Sequence, residues 1–321
     1  MNLLLRLRGR VEAFYKNHII ISGYVLRLIF IIAVLLIYRP RMEYNELLSE
    51  VWFVLAFSVV AAFIPVRFLP LAVIAYTASQ IITLSPGIGA FVLIVLAVLY
   101  LLYFRLNADY AMLLILLPAL AMLRLPLLMV LVLALTTPFN SVFAVFAGNV
   151  MYYMIHYVDV NAAVFSGMTD VSEINMLGIM AYSFITYREF LYGTFTALVV
   201  FIITYYAKKI NINRSNDMAA IIGAGTYIIF MVSFNLAFET ITVLRLATIV
   251  IGSAASMVLA LIAENIMLPL DFSRTEFLEF EDEEYYYYVR AVPKSNIGRE
   301  VVSVKQINRR VKKKKEDKEE T

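Results

Sequence analysis

The chain has 321 residues, 62% hydrophobic and 16% charged, with a formal net charge of +3 and no cysteine. A soluble domain averages about 45–50% apolar and about 25% charged residues, so an ordinary water-solvated fold is excluded and lipid is the expected solvent. The mean hydropathy of +0.81 agrees, and the lack of cysteine excludes disulfides, haem attachment and thiolate metal sites.

Residues 1–17 carry Arg6, Arg8, Arg10 and Lys16, with Leu3, Leu7, Val11 and Phe14 at helical spacing. This reads as an amphipathic cytoplasmic segment lying on the membrane surface. The apolar run that follows has no small-residue cleavage pattern, so it is a membrane anchor rather than a signal peptide. The transmembrane domain is placed over residues 18–268. Its apolar runs are His18–Tyr38, Val51–Val66, Phe68–Leu84, Ile88–Phe104, Ala111–Leu123, Leu125–Tyr157, Tyr192–Ala207, Ala219–Phe238 and Ile241–Leu268. A crossing needs about 20 apolar residues. The pattern predicts an all-α polytopic membrane protein of eight to ten spans, some broken or re-entrant.

Two interruptions stand out. TLSPGIGA (Thr83–Ala90) reads as a loop between spans. TTPFNS (Thr136–Ser141) interrupts an otherwise continuous apolar sequence, so it is either a loop or a broken helix of the kind that exposes backbone groups in transporters. Asn140 and Asn149 would supply side-chain partners there. The stretches from Arg67 and Leu123 share an LPL and a closing Ser/Thr-Pro, but their proline spacings differ and they fall short of a repeat.

Charge inside hydrocarbon costs about 2.5–3.5 kcal/mol or more per residue. That singles out Arg27 in the first run and Arg245 and Glu264 in the last. Arg245, Thr248, Gly252, Ser256, Ala260 and Glu264 fall close to one helical face. Gly252, Ser256 and Ala260 form a ladder of small residues that lets another backbone approach, and Gly223 belongs to a similar one in the preceding run. Two readings stand: a packing seam with a charge near each end, or a polar track along a substrate path. Glu239 and Arg245 flank the turn between these runs and are expected to pair.

Asp159–Glu189 is the main insertion outside the membrane. It is acidic, and its middle, Met176–Ile185, is too short to span. His156 and Asp159 share a spacing that could face one metal, but no third ligand accompanies them. No HExxH, GxSxG or Walker A pattern occurs. The expectation is a protein that is not an enzyme and has no cofactor, metal or nucleic-acid partner.

The basic N-terminus, Lys208–Arg214 and RRVKKKK (Arg309–Lys315) predict cytoplasmic ends. Residence in the cytoplasmic (inner) membrane follows. Arg39 and Arg41 are awkward for this orientation, because they would lie outside. In the tail, residues 269–308, TEFLEF and YYYYVRAV are rich in strand formers with EDEE as a turn. They predict a small cytoplasmic β-hairpin, which REVVSVKQIN could extend to three strands. Tyr285, Tyr286, Tyr287, Tyr288 and Arg290 are its candidate docking residues. A cytoplasmic protein or a second copy is the expected partner, besides the bilayer. Residues 309–321 read as a charged, disordered end.

The tail FSRTEFLEFEDEEYYYYVRAVPK, joined to the last run by Leu-Pro-Leu-Asp, resembles a family of bacterial multi-pass membrane proteins from gut clostridia. ADYAMLLILLPALAMLRLPLLMVLVLAL is similar as well. Some members are labelled transporter permeases. The resemblance implies a permease-like, transport-type protein, and it supplies no catalytic or binding residues. The competing expectation is a non-transporting scaffold or assembly factor whose tail docks a partner.

Overall fold

The computed structural model describes residues 19–107, 112–167, 172–210, 214–240, 242–267, 276–281 and 286–291. The helices are α1 (Ile19–Tyr38), α2 (Glu46–Ser49), α3 (Val51–Ala62), α4 (Leu69–Leu84), α5 (Pro86–Asn107) and α6 (Leu113–Met122). They continue as α7 (Pro126–Thr136), α8 (Val142–Gly167), α9 (Glu173–Ile185), α10 (Arg188–Ala207), α11 (Ser215–Ala237) and α12 (Val243–Met267). The chain is an all-α polytopic membrane protein.

Six of the described helical segments are long and apolar enough to cross a bilayer: Ile21–Arg41, Val66–Leu84, Phe139–Gly167, Arg188–Ala207, Ser215–Ala237 and Val243–Ile266. Five further apolar segments run 10–17 residues among those described, and one of them, Pro86–Leu102, is part of the 22-residue α5. The difference from the expected eight to ten lies in these. The 12 residues of α3 rise about 18 Å, against a hydrocarbon core of about 30 Å. Large apolar side chains such as Val60 (67%), Ile229 (64%) and Ile251 (68%) remain exposed. Apolar exposure on this scale is foreign to soluble monomers and suits contact with lipid.

Local chemistry sets the boundaries. Asn45 caps α2 by accepting from the Leu47 and Leu48 amides. Pro86 and Pro126 open α5 and α7, where the missing N–H costs no helical bond. Hydroxyls within the helices turn back on their own backbone. Ser58, Thr77 and Thr196, for example, each donate to the carbonyl four residues earlier. Such bonds satisfy groups that lipid cannot.

TLSPGIGA forms a sharp corner, with only Ser85 outside the helices on either side. A Cβ at Gly89 would run into the Ile82 backbone. The close approach of α4 and α5 at that corner therefore depends on glycine.

Two large hydrophobic cores result, with a small third cluster of Leu135, Ala219 and Ala220. The first gathers side chains from α1, α3, α4, α5, α6, α8 and α9; the second joins α7, α10, α11 and α12 with the start of α8. α7 is the centre of the second core, and Leu127 and Met129–Leu135 are all buried.

After α12, β1 (Glu276–Glu281) and β2 (Tyr286–Ala291) pair antiparallel, with Glu276 opposite Ala291 and Glu281 opposite Tyr286. Tyr286 and Tyr287 are exposed. The four residues 282–285 between the strands, Tyr285 included, lie outside the described residues. So do the N-terminal segment 1–17, the expected third strand and the basic end.

Candidate functional site

The ionisable residues expected inside the membrane do not converge on one cavity; each is engaged near a helix end. The Arg27 guanidinium donates from Nη1 to the Ile64 carbonyl (3.2 Å) and the Ala62 carbonyl (3.5 Å), and from Nε to the Gly23 carbonyl (3.2 Å). It also lies 4.7 Å from the Tyr24 ring centroid. Arg27 thereby satisfies carbonyls at the end of the short helix α3, which would otherwise face lipid without donors.

Arg245, in the first turn of α12, donates from Nη2 to Glu189 Oε1 (2.5 Å) and to the Tyr192 hydroxyl (3.2 Å). Glu189 is thus its partner, in place of the expected Glu239. Glu239 instead adopts a left-handed φ of 54° in the turn after α11. The Tyr187 hydroxyl donates to Glu189 Oε2 (2.9 Å), and His156 Nε2 lies 3.5 Å from the same oxygen. Tyr152 stacks on His156 at 5.8 Å. One carboxylate therefore ties α8, α10 and α12 together. Burial and the Glu189 charge raise the Tyr187 phenol, which stays a neutral donor. Although sequence pairs His156 with Asp159, the histidine lies against Glu189. Asp159 accepts from Arg41 at 2.9 Å.

The awkward arginines are thereby neutralised. Arg41 has Asp159, while Arg39 donates to the Ser49 carbonyl (2.6 Å) and lies 3.6 Å from Glu43. Acidic Asp159 and Glu189, read from sequence as an outer face, serve as partners for cations on α12 and after α1. The nearby Tyr44 hydroxyl is buried without a partner in the structure. Burial, and then Asp159, raise it above the ordinary phenol range.

Glu264, near the end of α12, accepts from Asn216 Nδ2 at 2.7 Å. Asn149 is buried and returns its amide to the Val145 carbonyl. Asn140 is exposed in the 3₁₀ turn Phe139–Ser141.

The TTPFNS interruption is a true break. α7 ends at Thr136, and α8 starts only after that 3₁₀ turn. Lys208, just beyond α10, sends its Nζ to the carbonyls of Ala134 (2.5 Å), Leu135 (3.1 Å) and Thr137 (3.2 Å). An ammonium thus occupies the carbonyl-rich end of a helix, where cations are favoured. Burial, reinforced by the Lys209 charge, lowers the Lys208 amine to about 8. At neutral pH it remains mainly an ammonium.

The small-residue ladders wrap this same helix. A Cβ at Gly252 would come 2.7 Å from the Arg124 carbonyl, in the turn that enters α7. Arg124 itself adopts a left-handed φ of 63°. A Cβ at Gly223 would meet Thr204 and Leu131 of α7. Ala260 is fully buried in the core that α7 centres. Ser256, midway between Gly252 and Ala260, is buried with its hydroxyl unpartnered in the structure, as is Thr204. α11 and α12 therefore use their small residues to seat α7 as well as to approach each other.

Sequence reading missed the roles of Lys208 and Glu189, because the α7 carbonyls and the Arg245 guanidinium lie more than fifty residues away from them. The available signals were a lysine directly after an apolar helix and a glutamate in the first turn of another.

Comparison with protein-family models, curated proteins and solved structures finds no match for this chain.

Proposed function

We propose that this membrane protein is of the transport type, permease-like, with α7 as its working element. The observation that carries the reading is the interrupted, centrally buried α7, whose last carbonyls converge on the Lys208 ammonium. Discontinuous helices place unpaired backbone groups within the membrane, and transporters use such groups to bind ions and substrates. Thr204 and Ser256 support the reading. A buried hydroxyl without a partner costs about 1–3 kcal/mol, and both belong to the helices that hold α7.

Transport requires α7 to have a second arrangement in which its end leaves Lys208. The chain has no cysteine, so spin labels can be placed at Asn140→Cys and Val98→Cys without background. The expected result is two distance populations in lipid nanodiscs, with Lys208→Gln enlarging the minor one. A single population, unchanged in Lys208→Gln, overturns the reading.

The scaffold reading has one observation of its own, the exposed Tyr286 (70%) and Tyr287 (40%) of the hairpin. A partner or second copy could add a strand to its edge. In that case, removing residues 272–308 reduces the size of the complex purified in mild detergent. An unchanged size removes this alternative.

A further inference from the structure

We infer that a lateral groove between α5, α8 and α10 binds a phospholipid with an anionic headgroup, its acyl chain in the groove and its phosphate at Lys209. The groove has a volume of about 530 Å³ and is lined by Leu99 and Leu102 of α5, Val142, Phe143 and Phe146 of α8, and Leu198 of α10, with Ala147 at its floor. That volume falls in the range of ligand sites, about 300–1,000 Å³. The lining offers no hydrogen-bonding side chain, so it suits hydrocarbon. Leu102 (58%) and Phe143 (50%) are exposed at its mouth, so the groove opens sideways toward the acyl layer.

The headgroup end follows from helix geometry. Leu198, Tyr205 and Lys209 follow one another at spacings of seven and four residues. At about 100° per residue Leu198 and Tyr205 share one face of α10, about 10 Å apart along the axis, and Lys209, in the turn just beyond the helix, lays its ammonium on Tyr205. In the 3₁₀ turn that leads into α8, the Phe139 ring packs on Tyr205 (5.3 Å) and Tyr206 (6.2 Å). Phe139, Tyr205 and Tyr206 thus form an aromatic cluster between the groove end of α8 and the lysine.

The Lys209 ammonium rests 4.3 Å from the Tyr205 ring centroid and 5.4 Å from that of Tyr206, on an exposed residue. Lys208, 4.5 Å from the same Tyr205 centroid, is committed to the α7 carbonyls, and exposed Lys209 is a cation open to a phosphate oxygen here. Exposed Asn140 follows Phe139 and is placed to donate to the glycerol ester region. Tyrosines and a basic residue at the end of an apolar cleft between helices are the expected recognition elements for an acidic lipid.

The test is native mass spectrometry of the full chain in detergent, titrated with phosphatidylglycerol or phosphatidylcholine of identical acyl chains. Phosphatidylglycerol should be retained several-fold more than phosphatidylcholine. Lys209→Gln should erase that preference while leaving residual binding of both. Leu102→Trp, which fills the mouth from an exposed position, should lower retention of both. Thermal melting of each variant within a few degrees of the parent shows that the fold is kept. Equal retention of the two lipids by the parent, or a preference unchanged in Lys209→Gln, overturns the proposal. So does a dimer that Leu102→Trp converts to monomer without bound lipid, which would make the groove a contact between copies.

Discussion

Glu189 holds three helices through one carboxylate, with 29% of its side chain exposed against 34% for Arg245. Removing one partner of a fully buried pair costs about 3–5 kcal/mol, and of an exposed pair about 0–1. Intermediate exposure places Glu189→Gln and Arg245→Met at about 1–3 kcal/mol each. The double variant should lose less than the sum, because neither charge is then left alone. Thermal melting of the three variants in one detergent measures this, and strict additivity would show the pair to be uncoupled.

Lys208 behaves differently. Its amine, lowered to about 8 mainly by burial, lies below the ordinary lysine value of about 10.4. Between those limits the unfolded chain binds more protons than the folded one, so stability rises with pH across that window. With the amine about half exposed, the gain is discounted to about 1 kcal/mol. Lys208→Met should flatten this part of the pH–melting curve. At this scale the sequence revealed which residues were costly, Arg27, Arg245 and Glu264, because a charge within an apolar run is visible in one dimension. It did not reveal their partners. Arg245 has Glu239 six residues away and Glu189 fifty-six away, and only the packing of both α10 and α12 against α7 and α11 selects the second.

Among the elements, α7 was legible as a break because Pro138 cannot continue a helix and apolar residues resume directly after it. Its role as the centre of a core was hidden. An 11-residue apolar run reads the same whether it faces lipid or protein, and here Leu127 and Met129–Leu135 face protein. The glycines provide a graded test of this packing. Gly252→Ala presses a methyl against the Arg124 carbonyl, and Gly89→Ala presses one against the Ile82 backbone. Each should cost about 1–3 kcal/mol as overpacking. Gly225→Ala meets nothing within 4 Å and should be neutral or stabilising by up to about 1 kcal/mol, through helix propensity. Melting curves that fail to separate Gly225 from the other two would contradict the close approach at α7 and at the Ser85 corner. The tail hairpin was also visible in sequence, from its strand formers and acidic turn, and the strands fall within a residue of the expected limits.

For the whole molecule, composition alone placed the chain in a membrane, and the exposed apolar helix faces agree. The number of spans was not legible, because α3, α6 and α7 are apolar enough to count yet too short to cross. Their ends are satisfied inside the fold by Arg27, by Lys208 and by turns, and no hydropathy average registers this. The result is a bundle with ionic ties at Glu189 and Asp159 and a broken helix at its centre. That broken helix is the reason for reading it as a transporter.

The most direct measurement is the accessibility of Ser256 from each side of the bilayer. Ser256 is buried in α12, about 16 Å along the helix from Arg245 and between Gly252 and Ala260, which meet α7 and its entry turn, and Ser256→Cys is nearly isosteric in a chain without other thiols. In vesicles of both orientations, a membrane-impermeant maleimide should label this cysteine from either face. Leu244→Cys and Asn140→Cys, at opposite ends of the bundle, should each react from one face only. A Ser256→Cys that stays unreactive, or reacts from a single face, would mean that α7 is seated in a dry and permanent seam.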